Sequence, residues 1–391
     1  MSPAPDGRDG RSPGPETGVS IDDRDRVAVT GAAGFIGSAI TRQLLEHGAS
    51  VVALAEPGCD RRGLRGLDVD VRLADVRDAQ SVRRALVGSR FVFHTAALYG
   101  FWAKDPGSFY QVNVEGTRNV LAAAAEAGVE RVVYTSTVGT LAPADAAGGT
   151  PSTESSVGDI SHLFGHYKRS KYVAEHEVLR AAAQGAPVTI VLPTFPLGPR
   201  DHRPTPTGKV VVDFLNGRIP GYVDTAVNVA HVDDLASGHL LALERGRIGR
   251  SYIIGGDNLS MRELLDALAA VTGARRVTRR LPKAVALAAG LASEVVQGRI
   301  LGRSPWVPLE AARMSTTTMT FDDSRARSEL GYGSRPARDA IEDSARWFVD
   351  NGYVVPRRRA TLVLAPPSRP GTPSSRASAN PGSRRAAAGP H

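Results

Sequence analysis

The chain has 391 residues, of which 42% are hydrophobic, and its net charge is +8. This length accommodates two domains, or one large α/β domain with an appended lobe, and the composition permits a substantial core. No apolar run approaches the ~18 residues that identify a transmembrane helix. The single cysteine, Cys59, excludes an internal disulfide framework. These features favour a protein of the reducing cytoplasm.

The two ends of the chain differ in composition from the rest. Residues 1–25 are rich in Pro, Gly, Asp and Arg, lack the apolar centre of a signal peptide, and are predicted to form a disordered leader. Residues 355–391 hold seven arginines and no acid, which predicts a disordered basic tail. Because the leader carries −3 and the tail +7, residues 26–354 keep only +4 of the total of +8. We therefore expect no nucleic-acid partner, and at most a peripheral membrane contact.

Short β-branched runs alternate with alanine-rich stretches between these ends. The predicted strands are Arg26–Thr30, Val51–Ala55, Val69–Leu73, Phe91–His94, Arg131–Thr135 and Val188–Leu192. The predicted helices are Phe35–His47, Ala79–Val87, Gly107–Ala127 and His162–Ala183. This alternation predicts an α/β fold, with a Rossmann-type doubly wound parallel sheet over residues 26–192. From Pro193 to residue 354 the alternation weakens, which predicts a smaller C-terminal substrate lobe interleaved with the first domain.

A glycine turn lies between the first predicted strand and the first predicted helix. Residues 30–37 read Thr-Gly-Ala-Ala-Gly-Phe-Ile-Gly. Gly31 allows a tight turn, Gly34 allows a ligand to approach the backbone, and Gly37 allows close packing of the helix. The helix that begins there directs free N–H groups and the positive end of its dipole at a phosphate. The spacing therefore predicts a dinucleotide site, although glycine turns are also common elsewhere.

Tyr167 and Lys171 lie one helical turn apart on the helix predicted to begin at His162. Side chains at this spacing share a face, and an ammonium group beside a phenol lowers its pKa. The pair suits acid/base catalysis next to a nicotinamide ribose, and the alternative is an ordinary amphipathic surface. Ser136 and Thr137 end the fifth predicted strand, where a hydroxyl could bind a substrate oxygen. The alternative is that these hydroxyls only satisfy loop backbone.

Six motifs, in this order, resemble those of the extended short-chain dehydrogenase/reductases. They are Thr30–Gly37, His94–Ala97, Asn113–Thr117, Tyr134–Thr137, Tyr167–Lys171 and Glu329–Tyr332. The resemblance runs from about Arg26 to Gly352. Within the family, four segments are most similar to hopanoid-associated sugar epimerases, with dihydroflavonol-reductase-like enzymes as near relatives. These segments are Trp102–Pro106, Gly165–Lys171, Pro204–Gly208 and Gly238–Glu244.

The resemblance implies a role for individual residues. Tyr167 would be the acid/base, Lys171 would lower its pKa, and Thr137 would be the catalytic hydroxyl in place of the more usual serine. Asn113 would help to order the proton relay through its helix. The cofactor-binding residues would be Gly31, Gly34, Phe35, Ile36, Gly37, Glu56, Asp75, Val76, Ala96, Ala97, Tyr167, Lys171 and Pro193, with Thr194 beside the last of these. A homodimer through the helices that hold Asn113 and Tyr167 is also implied.

Glu56 indicates which dinucleotide is bound. A carboxylate after the second strand accepts hydrogen bonds from the ribose hydroxyls of NAD and repels the 2′-phosphate of NADP. The near relatives usually carry arginine at this position, so Glu56 favours NAD. NADP stays open because Arg61 and Arg62 are close in sequence, and a surface glutamate without cofactor contact is the alternative role.

The chemistry expected is hydride transfer between nicotinamide and a carbinol or ketone carbon of a small molecule, sugar-like or related to hopanoid and isoprenoid pathways. The sequence leaves net oxidoreduction and epimerisation open. A 4,6-dehydratase is disfavoured because Val138 and Gly139 replace the usual Asp-Glu pair. Residues 194–199 also lack the Asn-Val-Tyr-Gly-Pro motif of sugar-nucleotide epimerases. The alternative is a cofactor-binding regulatory or scaffold protein of the same fold that lacks turnover.

Three further patterns are interpreted as structural. His162 and His166 have a zinc-compatible spacing without a third ligand, and we expect no metal. His231, Asp233 and Asp234 lie where a strand meets a helix, which an aspartate could cap. The apolar stretch Leu281–Val296 is interpreted as core or dimer packing in preference to a pocket lining or a membrane contact, because its polar face is not rich in Lys and Arg.

Overall fold

The computed structural model describes residues 18–144, 150–156, 160, 163–303 and 305–366. Its main sheet has seven parallel strands in the order β3-β2-β1-β4-β5-β6-β9. The strands are β1 (Arg26–Thr30), β2 (Ser50–Ala55), β3 (Asp70–Leu73), β4 (Phe91–His94), β5 (Arg131–Thr135), β6 (Val188–Pro193) and β9 (Ser251–Ile254). The strand order reverses between β1 and β4, which is the topology of a doubly wound sheet. The predicted Rossmann fold is confirmed, and each predicted strand agrees with the structure to within one residue at either end.

Helices cover both faces of this sheet. They are α1 (Phe35–Glu46), α2 (Ala79–Leu86), α3 (Gly107–Tyr110), α4 (Gly116–Glu126), α5 (His166–Ala183) and, from the lobe, α7 (Val232–Arg245). A π-helical stretch, Gln111–Glu115, joins α3 to α4. Two apolar clusters fill the interface between helices and sheet, and the sheet residues at their centres are fully buried because parallel strands are covered on both faces.

The lobe is built around a small second sheet and a third apolar cluster. This sheet has the order β10-β8-β7 and consists of β7 (Phe195–Leu197), β8 (Ala226–His231) and β10 (Asp257–Ser260). Its helices are α6 (Pro206–Leu215), α8 (Met261–Thr272), α9 (Lys283–Ser293), α10 (Leu309–Met314), α11 (Ala337–Asp350) and α12 (Pro356–Arg359). The chain returns to the main sheet through β9, which pairs with β6, so the lobe is interleaved with the Rossmann domain.

Packed structure extends beyond the predicted boundaries at both ends. Val19 and Ile21 pack against the first apolar cluster, and buried Asp25 accepts a 2.7 Å bond from Arg90. At the other end, Leu362 and Leu364 pack against the apolar cluster of the lobe. The apolar residues scattered among the Pro, Gly and Arg of these segments explain the difference, because composition averages do not register them. The remainder of the predicted leader and tail, residues 1–17 and 367–391, lies outside the described residues.

Two predicted elements differ from the structure in ways that bear on the site. α5 begins at His166 and not at His162, because Gly165 precedes it with φ of +83°, a conformation that ends the preceding chain segment. His162 itself lies outside the described residues. His231 caps α7 instead of an aspartate, since its Nδ1 accepts from the Asp233 N–H at 3.0 Å, while Asp234 pairs with Arg335. Among the described residues, no helix is long and apolar enough to cross a membrane.

Candidate active site

Two adjoining cavities lie at the carboxyl ends of the sheet strands. One of about 220 Å³ extends over β2 and β3, and the other, of about 150 Å³, extends towards α5. Both are lined by Gly31, Gly34, Thr95 and Ala97, so the glycine turn forms their common wall. Ligands of open α/β sheets bind in this position, where the strand order reverses.

The glycine turn has the shape that a pyrophosphate requires. Gly31 has φ of +67°, and a Cβ there would lie 2.8 Å from the Ala96 Cα. A Cβ at Gly37 would lie 2.3 Å from the Gly31 carbonyl oxygen, so only glycine allows α1 to pack so closely on the turn. No side chain caps α1 at Gly34, and its first turn contains no acid. The first amide groups of α1 are therefore available to an anion.

The larger cavity contains predicted cofactor-binding residues that lie beyond the glycine turn. Glu56, Asp75, Val76, Ala96 and Ala97 all line it. The Glu56 side chain is 61% exposed and lies 3.4 Å from the Arg77 guanidinium. That arginine also binds Asp75 at 2.6 Å, and this hydrogen bond lowers the pKa of the Asp75 carboxyl. The Asp75 carboxyl at this end of the cavity therefore stays ionised at neutral pH.

The lobe also contributes to this cavity, through His202 and Arg203. Arg61 does not line it, and Arg62 binds Asp60 at 2.6 Å and the His202 carbonyl oxygen at 2.9 Å. Neither of the two arginines for which NADP stayed possible in the sequence analysis therefore lines this cavity. Arg203 is the cation that the sequence did not reveal at this position.

The smaller cavity brings the predicted catalytic residues together. Thr137, Tyr167 and Lys171 line it, with the predicted cofactor residues Phe35, Ile36, Gly37 and Pro193 opposite them. Thr194 lines the same cavity. A Tyr–Lys pair from α5 and a hydroxyl from the end of β5 thus converge beside the glycine turn.

Tyr167 has an unusual electrostatic environment. Burial raises the pKa of its hydroxyl, and a hydrogen bond with the Thr137 side chain partly offsets this effect. The carboxyl of Glu310 raises the pKa further. We expected Lys171 to lower the pKa of Tyr167, and the structure differs from that expectation. The reason is geometric, because the Lys171 Nζ donates to Tyr134 Oη at 2.8 Å and to the Thr135 carbonyl oxygen at 2.7 Å.

Ser136 and Thr137, which the sequence could not separate, have different partners. The Ser136 hydroxyl donates to Glu175, a buried carboxylate four residues after Lys171 on α5. Thr137 instead caps a short turn by accepting from the Gly139 N–H at 3.1 Å, and it bonds with Tyr167. Thr137 is therefore the hydroxyl that can act together with the tyrosine.

Asn113 is buried behind the cavity and is not among its lining residues. It lies in the π-helical stretch, where its Oδ1 accepts from the Leu98 N–H at 2.8 Å. Its Nδ2 donates to Ser170 Oγ at 2.9 Å. Asn113 thus ties the loop after β4 to α5, and it reaches Tyr167 only through the neighbouring helix.

Three further residues lie next to the predicted ones without having been predicted, and of these only Tyr99 lines the cavity. Tyr99 places its ring 4.8 Å from that of Tyr167. Glu175 accepts from Ser136 and, at 3.0 Å, from Thr140. Its spacing from Lys171 is the one signal in the sequence that could have revealed it. Glu310, from α10 of the lobe, offered no such signal, because it is distant in sequence from every other residue of the site.

Glu310 lies against the start of α5. Its side chain packs on Gly165 so closely that a Cβ there would coincide with the carboxyl group. The residue is only 9% exposed, and its Oε1 has no hydrogen-bond partner among the described residues. Burial raises the pKa of this carboxyl to about 8. A protonated carboxyl group close to Tyr167 can donate a hydrogen bond at neutral pH.

The fold and the site together define a Rossmann enzyme that uses a nicotinamide dinucleotide. Residues 27–255 match the NAD dependent epimerase/dehydratase family, and this chain belongs to that family. The prediction of an extended short-chain dehydrogenase/reductase with NAD as its cofactor is thereby confirmed. The structure fits the cofactor, because the uncapped start of α1 and the glycine turn can accept its pyrophosphate.

Three relatives match most of the chain. A protein of Synechocystis sp. with the provisional name dihydroflavonol 4-reductase is 40% identical, over 83% of this chain and 95% of its own length. Sterol demethylase protein B of Methylococcus capsulatus is 33% identical, over 83% and 99%. The 2-alkyl-3-oxoalkanoate reductase of Shewanella oneidensis is 31% identical, over 78% and 81%.

A solved structure is also similar. The dTDP-glucose 4,6-dehydratase DesIV of Streptomyces venezuelae, crystallised with NAD, has 27% identity and a TM-score of 0.66. The match covers 85% of this chain and 99% of that protein.

Proposed function

We propose that this protein interconverts a ketone and a secondary alcohol on a largely apolar small molecule, with NAD as the hydride carrier. One observation supports this most directly: Thr137, Tyr167 and Lys171 share a cavity with the glycine turn. Bound nicotinamide would supply or accept the hydride. The chain's own residues would then bind the substrate oxygen and move its proton.

In the proposed reduction, the carbonyl oxygen of the substrate lies between Thr137 and Tyr167. The Thr137 hydroxyl donates a hydrogen bond to this oxygen, and the Tyr167 hydroxyl delivers the proton that converts it to an alcohol. The raised pKa of Tyr167 favours its protonated form, the form that reduction requires. Oxidation runs in reverse and starts from the phenolate.

The substrate side of the cavity supports an apolar molecule over a nucleotide sugar. Tyr99 and Pro196, which are not among the predicted cofactor residues, line it and present aromatic and hydrocarbon surface. The names of two relatives, a 2-alkyl-3-oxoalkanoate reductase and a sterol demethylase protein, also support an apolar substrate. A link to hopanoid-like substrates belongs to this proposal and rests on the same apolar lining.

We also propose that Glu310 binds a second oxygen of the substrate. The carboxyl is buried, lacks a partner on one oxygen, and acts electrostatically on Tyr167 and Tyr99. In its protonated form it would donate to a carbonyl or hydroxyl oxygen beyond the reacting carbon. A β-keto acid or a hydroxyketone would supply such an oxygen.

The proposal also covers the choice of cofactor, the oligomeric state and the location of the enzyme. The ion pairs of Arg62 and the exposed Glu56 support NAD over NADP, although Arg203 supplies a cation in the same cavity. A homodimer through the helical segments that hold Asn113 and Tyr167 and a cytoplasmic location, which the single cysteine suits, both stay part of the proposal. Light scattering would test the dimer, because a monomeric mass would contradict it.

Turnover with labelled cofactor tests the function. NADH carrying deuterium at C4 is incubated with a 2-alkyl-3-oxo acid, a steroid ketone and a nucleotide sugar, and products are examined by mass spectrometry. We expect deuterium in an alcohol that leaves the enzyme, with matching loss of nicotinamide absorbance. An epimerised product without net NADH consumption would indicate an epimerase instead. Cofactor binding without turnover of any substrate would support the alternative of a regulatory or scaffold protein.

A further inference from the structure

The lobe carries a large exposed apolar surface around α9 and the segment that follows it. We call it the outer apolar surface, and it consists of Val285, Leu291, Val295, Val296, Ile300, Leu301, Trp306 and Val307. Trp306 is 84% exposed and Ile300 is 71% exposed. Single exposed apolar residues are common on proteins, but so many along one stretch of chain mark an interaction site.

This surface follows from the sequence of α9. Most residues of α9 are alanine or leucine, yet Gly290 is the only buried residue of the helix. At Gly290 the helix packs tightly on Ala312 of α10. A π-helical stretch, Glu294–Ile300, continues the helix. Exposed apolar residues recur at helical spacing along both: Val285, Ala289, Ala292, Val296 and Ile300. Of the expected core or dimer packing of Leu281–Val296, core packing within one chain is therefore wrong for most of α9, and dimer packing stays a prediction.

Cations flank this surface in the sequence, and the segment that carries it contains a single acid. Five exposed basic residues lie within nine positions at its start: Arg275, Arg276, Arg279, Arg280 and Lys283. Of these, only Arg276 and Arg280 form ion pairs with described residues. Exposed Arg303 lies between Leu301 and Trp306. Glu294 is the one acid in residues 275–307, and it accepts from the Leu309 N–H at 3.0 Å.

The charges distinguish between two occupants of the surface. In a two-fold contact with a second copy, the surface would face itself, so Arg275, Arg279 and Lys283, which form no ion pair with described residues, would be repelled by the same cations of the other copy. An anionic lipid surface complements both features, because acyl chains cover apolar side chains while phosphates attract arginine and lysine. Tryptophan is also a residue enriched at membrane interfaces.

We propose that the outer apolar surface docks on an anionic lipid bilayer. Docking places α9 in the interfacial plane, with Trp306 and Ile300 inserted among the acyl chains and the basic residues at the headgroups. Helix α10 connects the outer apolar surface to the site. On one side α9 packs on α10, and on the other Glu310 of α10 contacts Gly165. The proposal does not depend on the identity of the substrate.

Vesicle flotation of the full chain tests this proposal. We expect the protein to float with phosphatidylcholine vesicles that contain phosphatidylglycerol, and much less with phosphatidylcholine alone or at high salt. The triple variant Val296→Ser, Ile300→Ser and Trp306→Ser should lose binding about tenfold or more. The matched control, Leu73→Ser with Val87→Ser, changes side chains that are 58% and 65% exposed elsewhere and should bind as the wild type does.

A second variant tests the electrostatic part. Arg275→Gln, Arg279→Gln and Lys283→Gln together should weaken binding about tenfold or more, since each such cation contributes on the order of 1 kcal/mol. Cofactor affinity should not change in any of these variants, which shows that they are folded. Undiminished binding by the triple serine variant would overturn the proposal, because the arginines after residue 366 would then suffice. A dimer that the serine substitutions dissociate would overturn it in favour of a second copy.

Discussion

Lys171 donates a hydrogen bond of 2.8 Å to the hydroxyl of Tyr134, and its Nζ lies 4.4 Å from the centre of that ring. A bond to the Thr135 carbonyl oxygen holds the amine from a second side. Burial lowers the pKa of Lys171 to about 7, with a small opposing effect from Glu175. At neutral pH the amine is therefore only partly charged before a ligand enters.

This shift predicts how stability depends on pH. The ordinary pKa of lysine is near 10.4, so between about pH 7 and 10 the unfolded chain binds a proton that the folded chain lacks. The free energy of unfolding of the wild type, relative to Lys171→Met, should therefore rise with pH by about 1 kcal/mol per unit across this range. Below pH 7 the difference should be constant.

Urea denaturation of the cofactor-free protein at several pH values measures this difference. Lys283→Met, which replaces an exposed lysine, is the matched control and should follow the wild type throughout. A difference that stays level between pH 7 and 10 would show that Lys171 is charged in the folded protein.

Tyr167→Phe should abolish most of the turnover and leave the fold intact. The ring keeps its contact with Tyr99, but the proton donor is gone, so kcat should fall by about 10²- to 10⁴-fold. Fluorescence titration should give an NADH affinity close to that of the wild type. Tyr110→Phe, on the neighbouring α3, removes a hydroxyl outside the cavity and should keep full activity. Turnover retained by Tyr167→Phe would assign the proton to another group.

Gly37→Ala should destabilise the protein and weaken cofactor binding together. The new Cβ would lie 2.3 Å from the Gly31 carbonyl oxygen and 2.9 Å from Thr95 Oγ1, so α1 must move away from the turn. Overpacking of this kind costs about 1–3 kcal/mol, which thermal unfolding can measure. Gly333→Ala is the control, because no atom lies within 4 Å of the Cβ it would carry. Equal effects of the two substitutions would contradict the close-packing argument.

Glu56→Ala should reduce the preference for NAD over NADP. The loss of hydrogen bonds between a carboxylate and the ribose hydroxyls costs about 1.5–3 kcal/mol, which is about tenfold or more in the ratio of kcat/KM values. Glu46→Ala, at the end of α1, should leave the ratio unchanged. A ratio that Glu56→Ala does not alter would mean that this carboxylate stays with Arg77 and does not contact the cofactor.

Glu310→Gln should remove a pH dependence from substrate binding. The carboxyl, with a pKa of about 8, is protonated below that pH and loses its donor above it. In the wild type KM should therefore rise above pH 8, whereas the amide of the variant donates at every pH and its KM should stay level. Glu126→Gln, on the exposed side of α4, should reproduce the wild-type profile. The same rise in both variants would place the titrating group elsewhere.

The main sheet and the cofactor-binding turn could be predicted from the sequence alone. Local patterns dictate both, because β-branched runs, helical periodicity and the positive φ of Gly31 act over a few residues. The sequence also identified Tyr167 and Lys171, since two residues one turn apart on a helix share a face wherever the helix packs. Even so, it misplaced the start of that helix, because the conformation of Gly165 depends on its surroundings.

The hydrogen bonds and packing contacts of these residues depend on the tertiary structure and could not be predicted from the sequence. Lys171 binds Tyr134 and Thr135 because β5 passes beneath α5, and no pattern along the chain records that contact. Glu310 reaches Gly165 from the lobe, and α9 is left exposed because α10 covers one side of it. Contacts between distant segments depend on how whole elements pack. The pKa shift of Lys171, the burial of Glu310 and the exposure of α9 therefore could not be predicted from the sequence.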